Sequence, residues 1–151
     1  KVPALQDDLK DATYELVAWA YKSSLVQSSK RLRNVDISKG PVQTGEWLPL
    51  PVIGSATAAG FSYTLAAGAD LTSMLYLEQQ QSGVLVLWTV VTFDGSTEVQ
   101  LPTLASNPLG VEGALGLTAT AIDLPEFSPS DCSFEALNSK LLRMSRSFAA
   151  L

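Results

Sequence analysis

Two stretches near the ends of the chain carry apolar residues at spacings of three and four. Toward the C-terminal end these are Phe134, Leu137, Leu141, Met144, Phe148 and Leu151. On a helix that spacing gathers all six into one stripe. Toward the other end Leu5, Leu9, Ala12, Leu16 and Trp19 repeat the pattern. The spacing predicts amphipathic helices over about residues 4–33 and about 131–150. Pro3 stands just ahead of the first, and Ser130 or Asp131 is placed to cap the second. From Lys22 to Arg33 the first helix is rich in serine and keeps only Leu25, Val26 and Leu32 as anchors, so that half is expected to be more exposed or bent.

Between these ends the period falls to two, the signature of strands. Phe61, Tyr63 and Leu65 alternate with Ser62, Thr64 and Ala66. The stretch 70–80 is read as a strand running to a turn at Gln81-Ser82-Gly83. Residues Val84 to Phe93 are apolar on both faces, which predicts a strand at the centre of a sheet with both faces covered. Asp94-Gly95 signals a tight hairpin, with Thr97 to Leu104 as the return strand. A loop marked by Asn107-Pro108, Gly110 and Gly113 leads to a further strand at Leu115 to Ala121.

The segment Glu46 to Ile53 carries prolines at 49 and 51. In an extended chain the amides of residues two apart point the same way, so both prolines remove donors from one edge only. This predicts an edge strand blunted against open-ended pairing.

Together these elements predict a single α+β domain over residues 1–151. It has two layers: a curved, mostly antiparallel sheet of five or six strands, over about residues 46–122, flanked by an N-terminal and a C-terminal amphipathic helix. A strand apolar on both faces then needs cover for its second face, from a subunit partner or from a sheet closing on itself.

Composition sharpens that need. Only 17% of residues are charged, against about 25% in an ordinary soluble domain. The apolar group reaches 46%. Obligate interfaces are apolar and deplete charge in this way. The net charge of −5 argues against nucleic acid, whose phosphates need clustered Lys and Arg. The one basic cluster, Lys30-Arg31-Arg33, is assigned to the end of the first helix, with Asp7, Asp8, Asp11 and Glu15 near its start, the polarity a helix dipole favours. No membrane span is expected, because the longest apolar run falls well short of the roughly 20 residues a spanning helix needs. The chain opens Lys-Val-Pro and turns acidic, without the pattern of a secretory signal. A single cysteine, Cys132, slightly favours a reducing compartment.

The chain contains no histidine. This removes the commonest general base and, with one cysteine, the usual zinc sites. No phosphate loop or calcium loop is present. Asp70, Glu78, Glu112, Asp123 and Glu126 fall near loops or strand ends, where carboxylates are solvated, and no spacing among them selects a catalytic pair. No catalytic, cofactor or metal residue is therefore assigned.

The function expected is that of a structural or assembly subunit working through contacts with itself or other protein subunits. The candidate interface is Trp47, Leu48, Leu50 and Val52 on the proline-bearing strand, with Leu25, Leu32, Arg31 and Arg33. Two alternatives are a small-ligand or lipid-binding module with a closed sheet and an acidic assembly chaperone.

Overall fold

The computed structural model describes residues 11–57, 60–79, 85–101, 114–128, 130 and 133–149. These form strands β1 (Tyr14–Tyr21), β2 (Gln27–Val35), β3 (Val52–Thr57), β4 (Gly60–Thr64), β5 (Leu71–Gln79), β6 (Leu85–Thr92), β7 (Glu98–Gln100), β8 (Ala114–Asp123) and β9 (Arg143–Ala149). A seven-residue helix, α1 (Phe134–Lys140), precedes β9. Six strands make one sheet in the order β1-β2-β9-β8-β5-β6, and three make a second in the order β3-β4-β7. All pairings are antiparallel. The protein is a β-sandwich, not the helix-flanked α+β domain that the spacing predicts.

The first expected helix gives way to strands, and of the second only α1 is helical before β9 begins. A spacing of four is even, so it keeps two residues on one face of a strand as well as on one face of a helix. Only the odd steps discriminate. In the C-terminal stripe the odd step from Leu141 to Met144 is where α1 has ended and β9 begins. Within β9, Met144, Arg146 and Phe148 share one face and Ser145 and Ser147 the other.

In the first stretch, residues 4–10 lie outside the described residues. The remainder is a hairpin, β1–β2. Tyr, Val, Trp and Tyr favour a pleated surface. The serines compete with helix backbone. At the hairpin tip the Ser23 hydroxyl accepts the amides of Leu25 at 3.3 Å and Val26 at 3.1 Å, which turns the chain. A bulge lies on the β2 side, where Asn34 takes a φ of 55°.

The core lies between the sheets. Leu117 and Ala119 of β8 pack with Phe61 and Tyr63 of β4 and with Leu101, and Ile53, Ala56, Trp88, Val90 and Val99 close around them. Leu48, Ala66 and Ala121 form a second buried cluster beside it. Facing residues of the large sheet thus alternate inward and outward, as in other two-sheet packings. On the outward side of β8, Gly116 leaves room for a neighbour. A Cβ there would stand 2.4 Å from the Phe148 ring, which lies across the glycine.

Two connections differ from the expected ones. Asp94-Gly95 does not close a hairpin: β6 belongs to the large sheet and β7 to the small one, so the turn is a corner between layers. Asp94 accepts the Ser96 amide at 2.9 Å, and Gly95 has a φ of 80°. The buried Tyr63 holds the corner: its hydroxyl donates to the Ser96 carbonyl at 2.6 Å and meets the Thr92 hydroxyl, and its amide donates to the Thr97 carbonyl at 2.9 Å. β6 is also not central. It is an edge of the large sheet, with Trp88 and Val90 packed inward and Val91 and Phe93 exposed.

The proline segment forms no strand before Val52. Residues 46–51 instead lie extended across the inner faces of β9 and β2. Prolines 49 and 51 have no amide to give, but their carbonyls still accept. The Ser145 hydroxyl donates to the Pro49 carbonyl and the Ser147 hydroxyl to the Pro51 carbonyl. Lys30 donates to the Glu46 carbonyl at 3.0 Å. β3, which follows, is an edge strand of the small sheet. Two carboxylates expected to be solvated are engaged. Asp123 is buried and paired with Arg143, its cross-strand neighbour, at 2.5 Å, and Asp70 accepts the Leu124 amide at 2.7 Å.

The predicted turn at residues 81–83, the loop at 107–113, Cys132 and the Asp131 cap lie outside the described residues.

Candidate functional site

The residues named as a candidate interface are dispersed by the fold. Leu48 is only 2% exposed and belongs to the core. Trp47 is half-buried. Leu32 is half-buried on β2, opposite Leu16 of β1. Leu50 and Val52 are exposed, as is Leu25 at the tip of the β1–β2 hairpin. A shallow groove of about 460 Å³ brings Leu50 and Val52 together with Lys22, Ser23 and Val26 of that hairpin and with Phe148.

Arg31 and Arg33 end no helix of their own. They project from the outer face of β2 and receive the end of α1. Arg31 donates to the Asn138 carbonyl at 3.3 Å, and Arg33 donates to the carbonyls of Asn138 and Leu141, both at 3.4 Å. The last carbonyls of a helix have no partners within it, and cations are favoured there. Glu15 of β1 completes the group, 3.8 Å from Arg31 and 3.4 Å from Arg33. The cluster is therefore an internal clasp that seats α1 on the outer face of the large sheet.

Over the rest of that face a set of apolar side chains stands open. Val17, Trp19 and Tyr21 of β1 are 42%, 48% and 64% exposed. The Trp19 and Tyr21 rings stack with centroids 6.1 Å apart and planes 13° from parallel. Val91 and Phe93, at the opposite border of the sheet, are exposed too. The signal for the β1 residues lay in their β-favouring types, Tyr14, Val17, Trp19 and Tyr21, since both faces of the strand are largely apolar. The three-and-four spacing of Leu16 and Trp19 concealed it.

The sheet borders are unequal. β3 is preceded by two prolines and carries a bulge between Ile53 and Ala56. β7 is three residues long. Both are the blunted edges that resist pairing with another chain. β1 is eight residues long, contains neither proline nor lysine, and pairs among the described residues only with β2. Among the described residues the large sheet therefore ends at β1 and at β6.

Beneath α1 lies a mainly apolar pocket of about 300 Å³, lined by Leu71, Val91, Ile122, Leu124, Leu137 and Leu141 together with Ser73 and Asn138. Among the described residues no group of three or more Cys, Asp or Glu side chains is placed to hold a metal ion. No helix among them is long and apolar enough to cross a membrane. Compared with family models, with curated proteins and with solved structures, the chain matches none of them.

Proposed function

We propose that this protein is a non-enzymatic structural or assembly subunit, acting through protein–protein contacts in a homo-oligomer or larger particle such as a shell or multi-subunit complex. The observation that supports this most is the exposed Val17-Trp19-Tyr21 stripe on an unblunted edge strand. Contiguous exposed apolar side chains mark interaction surfaces, and aromatic residues supply most of the energy where such surfaces close. The low charge of the chain agrees with it. Light scattering on purified protein over a hundredfold concentration range tests the reading. The mass should be a multiple of the chain mass. A single-chain mass at the highest concentration overturns it.

A second reading has one observation in its favour. The pocket under α1 is mainly apolar with two polar side chains in its lining, the make-up of small-ligand sites, though its volume is at their lower limit of about 300 Å³. Native mass spectrometry of protein from its source should then show a retained apolar molecule; the bare chain mass removes this reading.

A further inference from the structure

We infer that two copies of this protein join edge to edge through β1, antiparallel, about a two-fold axis at Ala18. The inference rests on the assembly reading above and specifies its contact.

The backbone determines which groups of β1 have no partner strand among the described residues. The Arg31 amide donates to the Leu142 carbonyl, toward β9, at 2.8 Å. Amides alternate along a strand, so the odd residues of β2 turn toward β9 and the even ones toward β1. Ser28, Lys30 and Leu32 stand opposite Ala20, Ala18 and Leu16. The Lys22 amide, donating to the Val26 carbonyl at 3.0 Å, continues that series. Glu15, Val17, Trp19 and Tyr21 therefore aim their N–H and C=O groups away from β2, at the open edge. These same residues carry the exposed outer side chains. Edge, face and backbone polarity coincide on four positions.

Such an edge takes an extended strand, and β1 is complementary to itself. In an antiparallel pair, residues directly opposite each other share a face, so outer residues must meet outer residues. An axis at Ala18 is the register that pairs all four within the strand. Val17 meets Trp19 of the second copy, and Glu15 meets Tyr21, each pair recurring across the axis. Every pair carries two backbone hydrogen bonds. Val against Trp is a favourable β-branched–aromatic pair. The only charge in β1, Glu15, meets no like charge, and Lys22 falls opposite Tyr14. The two large sheets become one continuous sheet whose outer faces lie on the same side.

The axis makes Ala18 face its own symmetry mate as a non-hydrogen-bonded pair, where Cα atoms stand about 4.5 Å apart, within disulfide range. With Cys132→Ser removing the native thiol, Ala18→Cys should oxidise to a covalent dimer, whereas Ala20→Cys, displaced from the axis, should not. Trp19→Pro removes an amide aimed at the open edge and spares the β1–β2 ladder, so the folded variant should have the single-chain mass. If the native protein is a dimer and Ala18→Cys fails to cross-link, or folded Trp19→Pro remains dimeric, the β1 axis is wrong and the assembly reading stands. Open-ended polymers in place of a dimer also overturn the two-fold axis. A single-chain mass throughout overturns both.

Discussion

Ser145 donates its hydroxyl to the carbonyl of Pro49, and two residues on Ser147 does the same for Pro51. The two relationships are one device. Alternate residues of a strand present hydroxyls at the repeat at which alternate residues of an extended segment present carbonyls. The prolines cannot donate, so the segment at 46–51 cannot be drawn into a backbone ladder as a full partner. The serines instead hold it flat on β9 by its acceptors alone.

Ser145 is fully buried, so Ser145→Ala leaves the Pro49 carbonyl without its donor. We expect a loss of about 1–2 kcal/mol, the range for orphaning one buried acceptor. Ser147→Ala, at a half-buried site, should cost less. Urea unfolding of the two single variants and the double variant measures this. A double-variant loss equal to the larger single loss would mean that one serine alone holds the segment.

Tyr63 ties β4 to the corner between β6 and β7. Tyr63→Phe keeps the packing of the buried ring and removes only the hydroxyl, leaving the Ser96 carbonyl and the Thr92 hydroxyl short of a partner. A stability loss of about 1–2 kcal/mol is expected. Hydrogen exchange should also quicken at the Tyr63 amide, which donates to the Thr97 carbonyl. No change in either measurement would show that the corner is held by Asp94 and Gly95 alone.

Asp123 and Arg143 face each other across β8 and β9 on the buried side of the sheet. Removing one partner of such a pair strands a charge. Asp123→Ala is therefore expected to cost about 3 kcal/mol, at the lower end of the range for broken buried pairs because Arg143 keeps partial contact with water. Replacing both, Asp123→Leu with Arg143→Met, should recover much of that loss. Thermal unfolding of the single and double variants decides it; equal losses would mean the pair acts through shape and not charge.

Asp94 supplies a pH signature. Hydrogen bonds from Ser96, its side chain first and its backbone next, hold the Asp94 carboxyl below its ordinary range. A carboxyl depressed in the folded state contributes stability above its unfolded value and loses it as pH falls through the folded value. Its carboxyl carbon, followed by NMR, should titrate below an ordinary aspartate. Ser96→Ala should return it toward the ordinary range. An unmoved midpoint would show that the depression has another source.

Much of the strand pattern was legible in the residues. The alternation at Phe61 to Leu65 became β4, the stretch 70–80 became β5, and Leu115 to Ala121 lies within β8. Prolines 49 and 51 marked a segment that stays out of both sheets, not the edge strand they predicted. Of the candidate interface, Leu25, Leu50 and Val52 are exposed, whereas Leu48 went to the core and Arg31 and Arg33 to the seat of α1. Nothing local to those arginines indicates that carbonyls more than a hundred residues later will accept from them.

The sequence by itself determined that this chain is rich in apolar and poor in charged residues, that strands fill much of its middle, and that it contains no histidine. Those conclusions depend on composition and on period two, which are local quantities. Tertiary structure decided whether Leu16 to Trp19 and Leu141 to Phe148 would be helix or strand. An apolar step of four, such as Met144 to Phe148, suits both, and in β1 the step of three from Leu16 to Trp19 puts the two on opposite faces; a neighbouring strand with free backbone groups makes extension the better choice. It also decided which edges stay open. An edge is defined by the strand that is missing beside it, and no residue carries that information alone.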